Sequence, residues 1–98
     1  LDVALIYRVV RVEDLVFRHE LDALARERGV ALAYVVGGHT GAEGAYRLSP
    51  DHLRELVPDI AEREAYVCGP PAMMRVAETN LRCVGVPRAA IHMERFAL

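Results

Sequence analysis

The sequence has 98 residues, of which 53% are hydrophobic and 27% charged, and its formal net charge is −2 at pH 7. This length suits a single domain over residues 1–98, and the near-neutral charge argues against nucleic acid, which needs a basic surface. No apolar run approaches the ~20 residues of a membrane-spanning helix, and the cysteines and histidines lack metal-ligand spacing, so we expect neither membrane contact nor a metal.

The first third of the chain predicts a strand, a helix and a second strand. The run Val3–Tyr7 is almost continuously apolar, which is typical of a parallel strand buried on both faces. Residues 13–28 then show helical spacing, and Gly29 is placed to end that helix. A second apolar strand follows over residues 30–36. The predicted inner face of the helix consists of Phe17, Leu21, Leu24 and Ala25.

The remainder of the chain continues this alternation. Residues 37–48 are rich in glycine and predict a flexible surface loop. Alternating strands and helices predict an α/β fold with a doubly wound parallel sheet. The further predicted elements are a short helix from Ser49-Pro50 to near Pro58, a strand at 65–68, a helix from Pro71 to about Val84, and a strand at 90–96.

The segment Tyr66-Val67-Cys68-Gly69-Pro70-Pro71-Ala72-Met73 carries the strongest functional signal. Open α/β sheets bind ligands outside the carboxyl ends of their strands, and Cys68 stands at such an end. Gly69 would let a planar ligand approach the backbone, and the two prolines fix the turn into the next helix. The positive end of that helix points to the same place.

This segment resembles the NAD(P)-binding domain of the ferredoxin–NADP reductase superfamily, which carries Cys-Gly-Pro-x-x-Met here. Cys68, Gly69, Pro70 and Met73 match that motif, and Glu94 and Phe96 match the acidic and aromatic residues of the family's last strand. The resemblance extends over essentially the whole chain. It is most similar to the C-terminal parts of bacterial ferric-reductase-like and NADPH-oxidase-like flavoproteins. Ala97 and Leu98 follow Phe96, whereas in the family the aromatic residue is terminal.

The resemblance implies a role for each matching residue. Cys68 would line the nicotinamide site beside the flavin, while Gly69 and Pro70 would contact the nicotinamide, its ribose or the pyrophosphate. Glu94 would orient the cysteine or the nicotinamide, and Phe96 would flank the flavin ring. We assign Cys68, Glu94 and Phe96 as candidate catalytic residues. Met73 belongs to the candidate cofactor site, although packing in the core is the more common role of such a methionine.

Arg8 and Arg11 bear on the choice of cofactor, because they follow the first strand. Dinucleotide folds read the adenine ribose near such a position, where an acidic residue suits NAD and an arginine accommodates the 2′-phosphate of NADP. We therefore expect NADP(H) to be favoured over NAD(H), with Arg8 and Arg11 in the cofactor site. An ordinary solvated loop is the alternative, and Glu13 and Asp14 weaken the local positive field.

The resemblance further implies a fragment of a longer protein, cut so that the family's first strand and glycine-rich phosphate loop are missing. Because that strand is central in the family, we expect Val3–Tyr7 to pair directly with Ala65–Cys68, or a strand of another chain to fill the gap. FAD or FMN would be held by a neighbouring domain, with electrons passing to haem, iron–sulfur or ferric acceptors. We expect a cytoplasmic protein, or one at the cytoplasmic face of a membrane. The alternative is a non-catalytic α/β nucleotide-binding or regulatory module.

Overall fold

A computed structural model describes the backbone of residues 2–38 and 40–95, and the side chains of those residues up to residue 93. Their strands form one sheet of four parallel strands in the order β2-β1-β3-β4. The strands are β1 (Val3–Val9), β2 (Ala31–Val36), β3 (Glu64–Gly69) and β4 (Ile91–Arg95). The helices are α1 (Arg18–Arg28), α2 (Gly41–Tyr46), α3 (Pro50–Leu56) and α4 (Pro71–Cys83), and short 3₁₀ turns lie at Val12–Asp14, Ile60–Glu62 and Arg88–Ala90.

Helices cover both faces of the sheet, as a doubly wound fold requires. Side chains of β1 alternate between the two faces, so Ile6 enters the larger core, which contains Leu53 of α3 and Leu81 of α4. Tyr7 faces the opposite way and forms a smaller cluster with Val9 and Leu15. Leu21 of α1 packs against that second cluster. The predicted fold class is therefore confirmed.

The pairing of β1 with β3 is the feature that most affects the site. Val3 to Tyr7 pair in parallel with Glu64 to Cys68, in a register that sets Tyr7 opposite Cys68. This is the direct pairing that we expected for Val3–Tyr7 and Ala65–Cys68. It satisfies the inner backbone edges of both strands, which would be costly to bury without partners.

The first helix differs from its prediction at the amino end. It begins at Arg18 and not at residue 13, because the preceding residues form the Val12–Asp14 turn. Phe17 and Leu24, which were predicted to face the core, are 59% and 42% exposed. Among the larger elements α1 contacts mainly the edge strand β2, so the sheet covers only part of its apolar face. Gly29 ends the helix as predicted, with φ of 68°.

The glycine-rich segment 37–48 also differs from its prediction, since it contains α2 and is not wholly a loop. The turns around this helix use local backbone hydrogen bonds, and the amide of Arg47 donates to the carbonyl of Glu43. Contacts outside the helix supplement these bonds, because the Tyr46 ring lies 4.9 Å from the His52 ring. Tertiary contact thus overrides the low helix propensity of the glycines.

Candidate nucleotide site at the carboxyl edge of the sheet

The turn from β3 into α4 forms one part of the site. Gly69 ends the strand, Pro70 is the extended N-cap of α4 with φ of −62° and ψ of 144°, and Pro71 occupies the first helical turn. The amide of Met73 closes this turn by donating to the carbonyl of Pro70 at 3.1 Å. Proline suits these positions, because its φ is already helical and the first amides of a helix have no intrahelical acceptor.

A single cross-strand row holds the residues predicted to act together. Cys68 lies between Tyr7 on β1 and Glu94 on β4, and both pairs are in register. Since all strands are parallel, these positions share the carboxyl edge, and the predicted convergence of Cys68, Gly69 and Glu94 is confirmed for the backbone. Phe96 lies outside the described residues. The chemical roles of Cys68, Glu94 and Phe96 stay predictions.

Tyr7 gives this row a neutral, buried hydroxyl group. Its side chain is buried, and the hydroxyl donates to the carbonyl of Asp14 at 3.4 Å. Burial raises the pKa of Tyr7, and the nearby Cys68 and Asp14 add to the increase. Cys68 itself is half-buried, so its surroundings are partly desolvated.

Gly69 lies very close to the neighbouring strand β1. A Cβ atom added to Gly69 would lie 2.9 Å from the carbonyl oxygen of Arg8 and 3.0 Å from the Arg8 Cβ. The missing side chain therefore makes room for β1. The approach of a ligand to Gly69 remains a prediction.

The two arginines predicted to read the adenine ribose occupy quite different environments. Arg8 is only 1% exposed, and its guanidinium donates to the carbonyls of Val35, Gly37 and Gly38 at 3.3, 2.7 and 3.3 Å. Together with a bond from Nη1 to the carbonyl of Val9, these bonds hold the guanidinium inside the protein. Arg8 therefore does not offer a phosphate the accessible surface that was predicted for it. Arg11 is 73% exposed in its side chain and lies 3.8 Å from Glu13, in a solvated pair of little energy.

A cleft of about 480 Å³ opens at the carboxyl end of β2, two strands from Cys68. This volume is within the range of small-molecule sites. The cleft combines aromatic rings with a cation and a solvated acid. Its lining residues are Tyr34, Val35, Val36, Ala42, Glu43, Tyr46, Arg47 and His52.

Arg47 provides the cationic wall of this cleft. It donates from Nη1 to the carbonyl of Gly38 at 2.6 Å, and Nη2 lies 3.6 Å from Glu43, which is 89% exposed in its side chain. The side chain of Arg47 is still 22% exposed. It can therefore both hold the turn and offer donors to an anion. Sequence reasoning missed Arg47, although its position just before the Ser49-Pro50 helix start marked it as lying at a helix boundary.

His52 was also missed, and it is held as a neutral ring. Its Nδ1 accepts from the amide of Leu48 at 3.0 Å, while its own amide donates to Ser49 Oγ at 3.2 Å, which caps α3. Burial lowers the pKa of His52, and the charges of Arg47 and Arg8 lower it further against the opposing effect of Glu55. A ring that accepts at Nδ1 carries its proton on Nε2.

The cofactor contact that was predicted for Met73 stays a prediction. Met74 is buried and Met73 is half-buried on α4, so packing accounts for much of both side chains. Among the described residues there is no group of three or more His, Cys, Asp or Glu side chains that could hold a metal ion. In the same part of the chain, no helix is long and apolar enough to cross a membrane.

The fold and this edge define an α/β domain whose candidate site lies where the strands of nucleotide-binding domains end. Within that class, the chain belongs to the oxidoreductase NAD-binding domain family, which it matches over residues 2–79. The resemblance inferred from the Cys68-Gly69-Pro70 motif is thereby confirmed for the family. The narrower resemblance to ferric-reductase-like proteins stays a prediction.

Individual relatives support the same assignment. The chain is 35% identical over 94 residues to NADH-cytochrome b5 reductase 1 of Laccaria bicolor, covering 88% of this chain and 30% of that protein. It is 32% identical over 94 residues to the ferredoxin reductase component of 3-ketosteroid-9-alpha-monooxygenase from Rhodococcus rhodochrous, covering 96% of this chain and 26% of that protein.

A solved structure agrees on the fold. The ferredoxin reductase in carbazole 1,9a-dioxygenase, in its FAD apo form, superposes with a TM-score of 0.59 at 24% identity. The match covers 97% of this chain and 33% of that one. The chain thus spans about a third or less of the length of these proteins.

Proposed function

We propose that this chain is the NAD(P)H-binding module of a flavin-dependent oxidoreductase and presents the nicotinamide to FAD or FMN held by a neighbouring domain. The observation that carries the proposal is the cross-strand row of Tyr7, Cys68 and Glu94 beside the Gly69-Pro70 turn, in a member of the NAD-binding family. The names of the relatives include an NADH-dependent reductase and a ferredoxin reductase component, which supports this reaction class.

In this proposal the chain's own residues bind and orient. Cys68 and the turn at Gly69 and Pro70 contact the nicotinamide half, Met73 supports the turn, and Glu94 and Phe96 complete the side that faces the flavin. The nicotinamide cofactor supplies the hydride, so the redox chemistry belongs to the cofactors and the protein supplies position. Haem, iron–sulfur or ferric centres would receive the electrons. We place the whole protein in the cytoplasm or at the cytoplasmic face of a membrane.

The cleft at the end of β2 fits the other half of the cofactor. Tyr46 and His52 offer ring faces for a planar base, and Arg47 offers donors to a phosphate. An arginine in this place favours the 2′-phosphate of NADP, while an acidic residue would favour the free hydroxyl of NAD. The acid in the same cleft, Glu43, lies 3.6 Å from Arg47 Nη2, but its side chain is 89% exposed, so water weakens its competition for the arginine. We therefore propose a preference for NADP(H), with Arg47 in the role first predicted for Arg8 and Arg11.

Arg47→Met tests this assignment by calorimetric titration with NADPH and NADH. Loss of a charge-assisted contact of about 1.5–3 kcal/mol should weaken NADPH about 10- to 150-fold, with a much smaller effect on NADH. The matched control is Arg54→Met, since Arg54 is exposed on α3 and pairs only with Asp51 among the described residues. Equal weakening of NADPH and NADH binding would exclude Arg47 as the residue that contacts the 2′-phosphate. No binding of either nucleotide by the wild type would reject the proposed function.

A further inference from the structure

Two guanidinium groups hold the turn that follows β2, one from each side. Arg8 Nη1 donates to the carbonyl of Gly37 at 2.7 Å and Arg8 Nη2 to the carbonyl of Gly38 at 3.3 Å. Arg47 Nη1 donates to the same Gly38 carbonyl at 2.6 Å. Arg8 reaches this turn from the protein interior and Arg47 from the cleft, so the Gly38 carbonyl connects the two side chains.

Arg8, which reaches the turn from the protein interior, is unusual because it is a buried cation without a carboxylate partner among the described residues. Among the described residues no carboxylate forms an ion pair with Arg8, and its Nε–H has no hydrogen-bond acceptor. Buried cations are normally paired, since removing a charge from water is costly. Burial lowers the pKa of Arg8, and the charge of Arg47 lowers it further. Backbone carbonyls alone therefore compensate this cation, and their positions are fixed in return.

The position of the Arg47 guanidinium, on the cleft side, depends on the conformation of the same turn. Gly37 has φ of 134°, and a Cβ atom there would lie 2.4 Å from Arg47 Cζ and 2.5 Å from Arg47 Nε. The Arg47 guanidinium consequently packs directly on the Gly37 backbone. Any rotation of this peptide would move both the surface beneath Arg47 and its carbonyl acceptor.

We propose that Arg8 is a positioning residue, which fixes the Gly37–Gly38 turn and thereby sets Arg47 to bind an anionic group in the cleft. This inference rests on the proposed function only for the identity of the anion, a phosphate of the nucleotide. Arg8 does not touch the ligand and acts through the Gly38 carbonyl that it shares with Arg47. A purely structural arginine would stabilise the fold without such an effect on Arg47.

The probe is inorganic phosphate, followed through the NMR resonances of the Arg47 Nε–H and of the Gly37 and Gly38 amides. Without phosphate, Arg8→Met should shift all three resonances. With phosphate, the dissociation constant should rise at least fivefold in Arg8→Met and binding should be lost in Arg47→Met. The double variant should match Arg47→Met, because Arg8 acts only through that side chain.

Arg63→Met is the matched control. Arg63 Nη1 donates to the carbonyl of Val3 at 3.1 Å, so it holds the opposite, amino end of β1 by the same kind of bond. Its removal should leave the phosphate titration unchanged, even if the protein is less stable. A similar effect of Arg63→Met and Arg8→Met would reduce Arg8 to a general stabilising role and overturn the proposal.

Arg8→Lys decides the question if Arg8→Met does not fold. Lysine keeps the charge but cannot bridge two carbonyls with a planar fork, so phosphate should again bind several-fold more weakly. Wild-type phosphate affinity in a folded Arg8→Lys would overturn the proposal. The proposed function is tested separately. If the wild type binds phosphate in a way that depends on Arg8 but binds neither NADPH nor NADH, the positioning role of Arg8 is retained and the proposed dinucleotide binding is rejected.

Discussion

Leu48 joins the cleft to the core in a backbone conformation that leucine rarely adopts. Its φ is 62°, and its side chain is 1% exposed. The amide donates to His52 Nδ1 at 3.0 Å, and the carbonyl accepts from Asn80 Nδ2 at 2.9 Å. The left-handed conformation costs a residue with a Cβ atom roughly 1–2 kcal/mol. The buried side chain and these two hydrogen bonds offset that cost.

Substitutions at this position should separate the two contributions. Leu48→Ala keeps the strain and removes a buried side chain, which should lower the free energy of unfolding by about 2.7–5 kcal/mol. Leu48→Gly removes the side chain and also the strain. In an ordinary helical position glycine is about 1 kcal/mol less stable than alanine. Relief of strain at Leu48 should cancel or reverse that order, so Leu48→Gly should be at least as stable as Leu48→Ala.

Leu53 provides the reference, because it is likewise 1% exposed but lies inside α3. Urea unfolding followed by circular dichroism would give the alanine-to-glycine difference at both positions, provided that the m-values agree. Backbone entropy contributes equally to the alanine-to-glycine difference at Leu48 and at Leu53 and therefore cancels. The remaining difference between the two positions should be the strain at Leu48, about 1–2 kcal/mol. Equal alanine-to-glycine differences at Leu48 and Leu53 would show that Leu48 carries no strain, and would refute this reasoning.

Two side chains near the cleft give further tests. Burial lowers the pKa of His52, so protonation of this ring favours the unfolded state. The neutral ring contributes its full stability above about pH 6.5, and this contribution is lost as the pH falls further, by at most ~1.4 kcal/mol per pH unit. Urea unfolding at pH 7.5 and 5.5 should show this loss in the wild type and not in His52→Asn, which keeps an acceptor but cannot be protonated; the same loss in both would exclude His52. Tyr34→Phe should lower the free energy of unfolding by about 0.5–1.5 kcal/mol, because the hydroxyl lies 2.7 Å from Asp22 Oδ1 and 3.1 Å from the Arg18 carbonyl. Tyr46→Phe should cost less, because Tyr46 is exposed and its hydroxyl donates to Glu55 at the surface. A larger cost at Tyr46 would show that the Tyr34 hydroxyl is not the stronger of the two contacts.

Features with a local cause were predictable from the sequence. The apolar run Val3–Tyr7 becomes a strand because a parallel sheet buries both of its faces, and Gly29 ends α1 because it adopts the left-handed conformation without cost. The Pro70-Pro71 turn was predictable for the same kind of reason. The register of Cys68 opposite Glu94 then follows from the parallel arrangement and from the similar positions of both residues within their strands.

Features that depend on distant contacts were not predictable in this way. Arg8 was expected just after the first strand, in the cofactor site or in a solvated loop, yet β1 continues to Val9. The carbonyls of Val35, Gly37 and Gly38, distant in sequence, surround the terminal nitrogens of Arg8. The cleft likewise forms only where Arg47 and His52 meet the end of β2. No pattern in the sequence predicts this tertiary contact.

The buried position of Arg8 changes where cofactor choice would be made. If a dinucleotide occupies both halves of the site, it must cross the end of β1, since β1 lies between Cys68 on β3 and the cleft on β2. The cationic group at that end, Arg8, is withdrawn into the protein and bonded to backbone carbonyls. Arg47 lies beside the end of the next strand, β2, and its side chain is 22% exposed. We therefore expect discrimination between NADP(H) and NAD(H) to occur at the end of β2. Arg47 would contact the adenine ribose or its 2′-phosphate, and Arg8 would position Arg47 from the protein interior.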